Sequence, residues 1–403
     1  MRKFNYQARD TTTDKLVKAT VQAESEGAAA RLLSAQGLTP LEINEIDEGS
    51  SLVTRITGRI SMKDKIVFTR QLSTLIGAGL PLSQSLHTTL DQTENKKLRD
   101  VIEDIVVSIE GGKSLYESFS RHPEVFDKVY LALIESGEVS GTLDESLKRI
   151  AAQQEKDAAI MSKIRGALTY PVIVLFVILG VMIFMLVAVV PQVEKLYEDL
   201  HKNLPILTQI MVNTANFVIN FWWLTIIIIA GVIFFTIQYF KTESGIRVLD
   251  GFKLNVPLFG RMFRKLYMAR FARTGQTLLA TGVAMLDMLH ITGDAVSNTV
   301  IKQSIDNAAD KVKGGKALSE AIQPENYIMP LVPQMIKIGE QSGQIDEMMG
   351  KVAQVYEDEL DEEIRAISTA IEPLLMVVLA IVAGGMVGAI LFPIYSLVNG
   401  INV

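Results

Sequence analysis

Gly112-Lys113-Ser114 is the first stretch of this sequence that invites a chemical reading, because phosphate-binding loops end in Gly-Lys-Ser or Gly-Lys-Thr. Such a loop needs a glycine five residues earlier and a preceding strand, so that backbone N–H groups wrap the phosphates. Position 107 is Val107, on a helical stripe, and the related Gly314-Gly315-Lys316 is followed by Ala317. Both read as helix–turn–helix junctions. Gly137-Glu138-Val139-Ser140-Gly141 and Gly339-Glu340-Gln341-Ser342-Gly343 suggest a serine nucleophile. However, the spacing is not Gly-x-Ser-x-Gly, and no histidine recurs beside both. A helix end followed by a cap accounts for these residues, and a partner-facing corner carrying Glu138 and Glu340 is the alternative. Arg70 and Arg273 recur within helices and read as intradomain ion pairs, with Glu138 and Glu340 as candidate acceptors, or as partner contacts. His87, His122, His201 and His290 lack ligand spacing. The run Glu357-Asp-Glu-Leu-Asp-Glu-Glu363 reads as a solvated helix face, with loose divalent-cation binding as the alternative. No catalytic residue, cofactor or metal is expected.

These motifs recur because the chain is a duplication. Phe68, Arg70, Thr74, Leu75, Gly79 and Leu86 meet Phe271, Arg273, Thr277, Leu278, Gly282 and Leu289 at an offset of 203, six identities in nineteen positions. Gly111-Gly112-Lys113 meets Gly314-Gly315-Lys316 at the same offset. The Gly-Glu-x-Ser-Gly corners follow at 202, as do Pro171 with Pro373 and Pro191 with Pro393. Chance does not hold register over such a length.

The positioning elements are helices and membrane spans. Pro171 and Pro191 enclose nineteen uncharged residues, about 28 Å of helix against a hydrocarbon core of ~30 Å. Pro373 to Pro393 repeats the arrangement. Residues 203–240 carry no charge. That is longer than the ~20 residues one span needs, and it divides into an interfacial helix and a span from Phe221 to Phe240 with aromatic ends. No span holds an ionisable residue in its interior, which argues against an ion pathway or an intramembrane protease. The last helix of each polar block is expected to continue through Tyr170-Pro171 and Glu372-Pro373 into its span, with a kink at most.

The 403 residues are 49% hydrophobic with a net charge of −6 and no cysteine, so nucleic-acid binding, disulfides and thiolate metal sites are not expected. No apolar run occurs in the first fifty residues, so no signal peptide is expected and the spans act as insertion signals. The expected fold is mainly α: a polytopic membrane protein with two homologous cytoplasmic helical bundles and three transmembrane helices, plus a small N-terminal α+β module. The module covers residues 1–50, with strands near Phe4, Leu16 and Leu41 and a helix over Ser25–Gln36. The first bundle covers 60–169, span one 170–191, an extracytoplasmic loop with interfacial helix 192–220, and span two 221–240. The second bundle covers 241–371, span three 372–394, and an extracytoplasmic tail 395–403. Capping boxes are expected at Ser61, Ser114 and Thr142. Lys148, Arg149, Lys156, Lys163 and Arg165 flank the first span on one side, and residues 241–273 are rich in Lys and Arg. The loop between spans one and two has Lys195 and Lys202. Both bundles and the N-terminus are therefore expected in the cytoplasm, and the C-terminus outside.

Lys163-Ile-Arg-Gly-Ala-Leu-Thr-Tyr170-Pro171, Phe68-Thr-Arg-Gln-Leu72 with Gly79-Leu-Pro81, the two corners, and Tyr356-Glu-Asp-Glu with Ile371-Glu372-Pro373 together resemble one family. It is the inner-membrane platform proteins of type IV pilus and type II secretion machines, and the resemblance covers essentially the whole chain. It implies a non-enzymatic protein of the bacterial cytoplasmic membrane that binds a hexameric ATPase and helps lift pilin or pseudopilin subunits into a fibre. It also implies other inner-membrane machine components as partners, and a homo-oligomer. Tyr356-Glu-Asp-Glu-Leu and Pro393-Ile-Tyr395 look more like the pilus branch than the secretion branch. A transporter is the weaker alternative.

Overall fold

The computed structural model describes residues 2–10, 16–23, 38–45, 59–199 and 206–399. Two compact units divide the chain, residues 1–61 with 94–98 in one and the remainder in the other. The first holds a three-stranded antiparallel sheet of β1 (Arg2–Asp10), β2 (Leu16–Ala23) and β3 (Leu38–Glu45), in the order β2-β1-β3. Tyr6 stands opposite Ala19 on one side and Ile43 on the other, with a register shift between Gln7 and Ala8. The expected helix over Ser25–Gln36 lies outside the described residues.

Six helices make the first bundle and its span: α1 (Met62–Gly77), α2 (Leu82–Gln92), α3 (Lys96–Glu110), α4 (Leu115–Ser120), α5 (Lys128–Ser140) and α6 (Leu143–Phe184). Then come α7 (Val190–Asp199), α8 (Ile206–Asn220), α9 (Trp222–Tyr239) and α10 (Glu243–Asn255). The six-helix order returns as α11 (Gly260–Ala280), α12 (Met285–Ala295), α13 (Thr299–Lys313), α14 (Leu318–Ile322), α15 (Leu331–Ser342) and α16 (Ile345–Asn399). The duplication read from the sequence is thus a duplication of structure.

Its sharpest geometric trace lies in the backbone. The glycines with left-handed φ fall into three pairs at the repeat offsets: Gly79 and Gly282 (both +85°), Gly112 and Gly315 (+86° and +89°), and Gly141 and Gly343 (+74° and +72°). Each ends a helix, and the next N–H returns to a carbonyl of the last turn, as from Leu80 to Leu75 (3.1 Å) and from Val283 to Leu278 (3.1 Å). Gly112-Lys113-Ser114 is such a junction, with Ser114 Oγ accepting from Glu117 N at 3.0 Å to cap α4. Thr142 departs from the expected capping box. Its hydroxyl bonds Ser140 Oγ at 2.7 Å and makes no cap bond to α6.

The bundle cores differ although the frames agree. The first is aromatic: Phe68, Phe119, Phe126 and Tyr130 are all buried, with the Phe119 and Phe126 rings 4.4 Å apart. Burying such a side chain contributes about 1.5–3 kcal/mol. In the second, Met268, Met288 and Met349 join Phe271, and Gly275 leaves room for the Met349 methyl. Methionine fills such irregular space because its chain bends freely.

Three helices are long and apolar enough to cross a membrane, by length and composition: those beginning at Leu143, Trp222 and Ile345. α6 runs unbroken through Pro171, and α16 through Pro373 and Pro393. Pro191, the far bound of the uncharged stretch, lies within a helix as well. The turn Met185–Val189 widens to a π-helix and leads directly into α7, which contains Pro191. A proline ring clashes with the carbonyl four residues back in a regular helix, and a widened turn relieves that crowding. Beyond it Val190, Val212 and Ala215 pack α7 against α8, and Asn216 Nδ2 donates to Glu194 at 3.2 Å.

Candidate functional site

Each bundle repeats the same arginine–glutamate pair on the helix that continues into the membrane. In the second copy Arg273 of α11 grips Glu357 of α16 at two points, Nε to Oε1 and Nη2 to Oε2, both at 2.8 Å. In the first, Arg70 of α1 reaches Glu155 of α6 with the same two nitrogens at 3.0 and 3.1 Å. The planar guanidinium fork matches the two carboxylate oxygens. The acceptors are therefore not Glu138 and Glu340, the sequence candidates. They are Glu155 and Glu357, which stand at the repeat offset of 202.

The two pairs differ in what covers them. Helix α6 of the first copy lies against α16 of the second, placing Lys156 Nζ 3.2 Å from Glu357 and Lys163 Nζ 2.5 Å from Asp361. The Arg273 side chain is 17% exposed and that of Arg70 is 68% exposed. Lys265 of α11 takes Glu359 at 3.1 Å and Glu363 at 2.9 Å. The run 357–363, expected as a solvated face, thus forms two i,i+4 rows of carboxylates. One row meets α6 and the other meets Lys265 of α11. Only Asp358 and Glu362 stay fully on the surface. Nearer the membrane the seam turns apolar, with Ile160 packed among Met262, Leu266, Leu360, Ile364 and Ile367.

At its other end the seam opens into a cleft of about 510 Å3 lined by Tyr130, Gln153, Gln154, Asp157, Arg270 and Thr274 among others. Gln153 Nε2 donates to Thr274 Oγ1 across it at 2.9 Å. Asp157 lies in the polar part of α6, well before Pro171. Burial pushes its carboxyl up further than Arg270, 3.9 Å away, draws it down. Among the described residues, Gln153 Oε1, Gln154 Oε1 and Arg270 Nε are buried without a hydrogen-bond partner. Such atoms make no hydrogen bond within the fold, so the polar groups of this seam are left with bonding capacity to spare beside the cleft. Lys128 closes its rim with Asp294 at 2.6 Å, and Ser136 Oγ donates to Thr281 O at 2.5 Å.

The corners hold helix ends. Glu138 accepts from the N–H groups of Leu115 (2.8 Å) and Tyr116 (3.0 Å), and Glu340 accepts from Ser319 N (3.2 Å) and Ser319 Oγ (2.5 Å). A carboxylate there satisfies unpaired first-turn donors of α4 and α14 and meets the positive end of the helix dipole. Ser140 Oγ and Ser342 Oγ donate back to Ser136 O (2.7 Å) and Ile338 O (2.9 Å). Of the histidines, His87 pairs with Glu110, His122 with Asp104 and His290 with Asp306, while His201 lies outside the described residues. Tyr170 and Glu372 are exposed on continuous helix, one residue before their prolines.

The pattern of the family described as type II secretion system (T2SS), protein F, matches residues 68–191 and again 271–393, and that of the protein's N-terminal domain matches 1–44. The chain belongs to this family. Both matched segments begin at the paired Phe68 and Phe271 and close at the paired Pro191 and Pro393, so the protein F segment is the duplicated bundle-plus-span unit. The chain is 36% identical over 405 residues to a type IV pilus assembly protein PilC of Thermus thermophilus, covering 99% of each. It is 36% identical to a PilC of Pseudomonas aeruginosa, covering 91% of this chain and 98% of that one. To a type II secretion system protein F of Xanthomonas campestris it is 34% identical, covering 99% of each.

Glu155 escaped the sequence reading altogether, and Glu357, Lys156 and Lys163 were legible there only as charges, not as partners across the seam. The offset-202 match of Glu155 with Glu357 was the available signal. Lys128 and Asp294 had none, because their contact joins unlike parts of the two copies.

Proposed function

We propose that the chain is a non-enzymatic platform in the cytoplasmic membrane of a type IV pilus machine. It couples a cytoplasmic hexameric ATPase to the insertion of pilin subunits into the fibre. The observation that carries this reading is the continuity of α6 and α16, each of which runs from a bundle through its proline into an apolar span. At about 1.5 Å per residue, the 42 residues of α6 extend about 63 Å, twice the hydrocarbon core. A push on either bundle is thereby carried into the bilayer without a flexible joint. The polar, under-satisfied seam around Asp157 suits a partner that spreads or clamps the two bundles. The names of the relatives support membership of a pilus or secretion machine with other components; pilin, further inner-membrane components and a homo-oligomeric working form are part of the proposal.

In this reading residues 60–169 and 241–371 are cytoplasmic, and the segment 192–220 and the C-terminal tail lie outside, in keeping with the Lys and Arg bias. The chain has no cysteine, so single cysteines at exposed Val139 and Trp222 can be labelled from either side of the membrane. Labelling of Val139→Cys from the outside would reverse the orientation.

The coupling is tested by inserting Gly-Ser-Gly after Leu168 and, separately, after Ala370. Both variants are expected to reach the membrane and keep the ATPase in co-purification, yet assemble no pili. Normal pili from either would overturn the rigid link, and normal pili from a strain lacking the chain would overturn the pilus assignment. The equivalent platform of a type II secretion system is the second reading, favoured by the 34% identity to a protein F. Loss of exported enzymes with intact pili would select it.

A further inference from the structure

We propose that α10 is a membrane-surface element, which lays Val248 and Phe252, with Leu258 just beyond, into an anionic phospholipid leaflet. Only Phe240, Lys241 and Thr242 separate α10 from the apolar helix α9. The turn is tight. Thr242 Oγ1 donates to Tyr239 O at 2.7 Å and accepts from Gly245 N at 3.1 Å, and a Cβ on Gly245 would come within 2.0 Å of Tyr239 O. The first turn of α10 is therefore pressed on the last turn of α9, at the level where a span leaves the bilayer.

The inner face of α10 is fixed to the second bundle. Leu254 is buried, and the buried Asp250 accepts from Thr299 N at 2.9 Å and Thr299 Oγ1 at 3.0 Å. The outer face has no such cover: Val248 and Phe252, four residues apart, are 56% and 63% exposed. Leu258 is exposed as well, and its φ of +73° is a conformation that a leucine rarely takes. The six-helix repeat is complete without α10, so the bundle architecture does not account for these residues.

The cations on and beside α10 point to lipid, with Glu243 as the exposed acid of the same helix. Lys253, Arg264 and Lys265 are used within the fold, by Asp250, Leu254 O, and Glu359 with Glu363. Lys241, Arg247 and Arg261 are exposed, and none forms an ion pair with a described residue. Exposed cations beside an exposed aromatic and aliphatic stripe are the signature of a helix lying in an anionic interface. The inference rests on α9 crossing the membrane and is independent of any coupling to an ATPase.

The absence of cysteine permits a direct test on the full chain. Nitroxide labels on Phe252→Cys and Val248→Cys would be read in vesicles of phosphatidylcholine with phosphatidylglycerol, by relative accessibility to oxygen and a nickel chelate. Ile229→Cys in α9 and Val139→Cys on α5 serve as the lipid and water references. We expect both α10 labels to favour oxygen and to read between the references, and to shift towards Val139 in phosphatidylcholine alone. Labels that match Val139 in both lipids would overturn the proposal. So would labels shielded from both reagents, which would assign the face to a protein partner or a second copy of the chain. Insertion that is unchanged in phosphatidylcholine would overturn it too, because the proposed leaflet is anionic. A water-like reading at Ile229 would show instead that the premise about α9 is wrong.

Discussion

Arg273 and Glu357 form a two-point ion pair at 2.8 Å on the helix that enters the membrane, and Lys156 of the other repeat approaches the same carboxylate. The equivalent pair of Arg70 and Glu155 has the same geometry but stands open to water. Duplication supplied two copies of one interaction, and the packing of α6 on α16 placed them in different surroundings. Removing Arg273 leaves the largely buried Glu357 with Lys156 as its remaining cation, at a cost of up to about 3 kcal/mol. For a solvent-screened pair the cost stays below about 1 kcal/mol. Arg273→Ala is therefore expected to lower the thermal unfolding transition of the purified protein clearly, and Arg70→Ala hardly at all. Equal shifts would show that burial at the seam does not set the strength of the pair.

Glu138 and Glu340 offer a finer test, because each supports one short helix. Glu138→Ala strips two first-turn donors of their acceptor, comparable to the loss of a helix cap at about 1–2 kcal/mol. Hydrogen exchange in the peptides containing Leu115 and Tyr116 should accelerate while the span of α6 is unaffected. Glu340→Ala should do the same at Ser319. If exchange is unchanged there but binding of the ATPase is lost, the corners serve a partner instead.

Much of this was legible in the sequence because duplication and membrane crossing each leave a periodic mark. The register of Phe68 with Phe271 and of Pro171 with Pro373 fixes the repeat, and uncharged runs fix the spans. The partners of Arg70 and Arg273 were misread for a physical reason. Glu138 and Glu340 recur as visibly as Glu155 and Glu357, and recurrence alone does not say which carboxylate faces the arginine. The acidic run was misread because a row of like charges usually faces water, and nothing in the 357–363 sequence shows that Lys156, Lys163 and Lys265 converge on it. The π turn at Met185–Val189 that precedes Pro191 has no mark in the sequence, because it depends on backbone geometry that no residue type announces.

The corner glycines separate two kinds of strain. Gly343 has a φ of +72° with nothing near its absent Cβ, so Gly343→Ala should cost about 1 kcal/mol for the left-handed backbone. Gly339 is an ordinary helical glycine, but a Cβ there would lie 2.7 Å from Ile345 Cα, which is backbone and cannot rotate away. Gly339→Ala should therefore cost more, about 2–3 kcal/mol, by forcing α15 away from the start of α16. Denaturant unfolding of the two variants checks the order, and a smaller loss for Gly339→Ala would refute the close packing of that corner.

The rim of the seam should respond to pH through Asp294. Burial pushes its carboxyl up, but hydrogen bonds from Lys128, 2.6 Å away on the first repeat, and from Lys302 outweigh burial and hold it below the usual carboxylate range. A folded-state value below the unfolded one means that the contribution is fully present above the unfolded value of about 4. It is lost as pH falls through the folded value. Asp294→Asn keeps the shape and removes the charge, so at pH 7 it should be less stable than the parent by about 1 kcal/mol. The gap should stay constant down to about pH 5 and close in stronger acid, where the parent carboxyl is also protonated. Differencing the two proteins at each pH cancels every other titrating group. A gap that does not narrow as pH falls below about 4, or one already absent at pH 7, would remove Asp294 from the forces joining the two repeats.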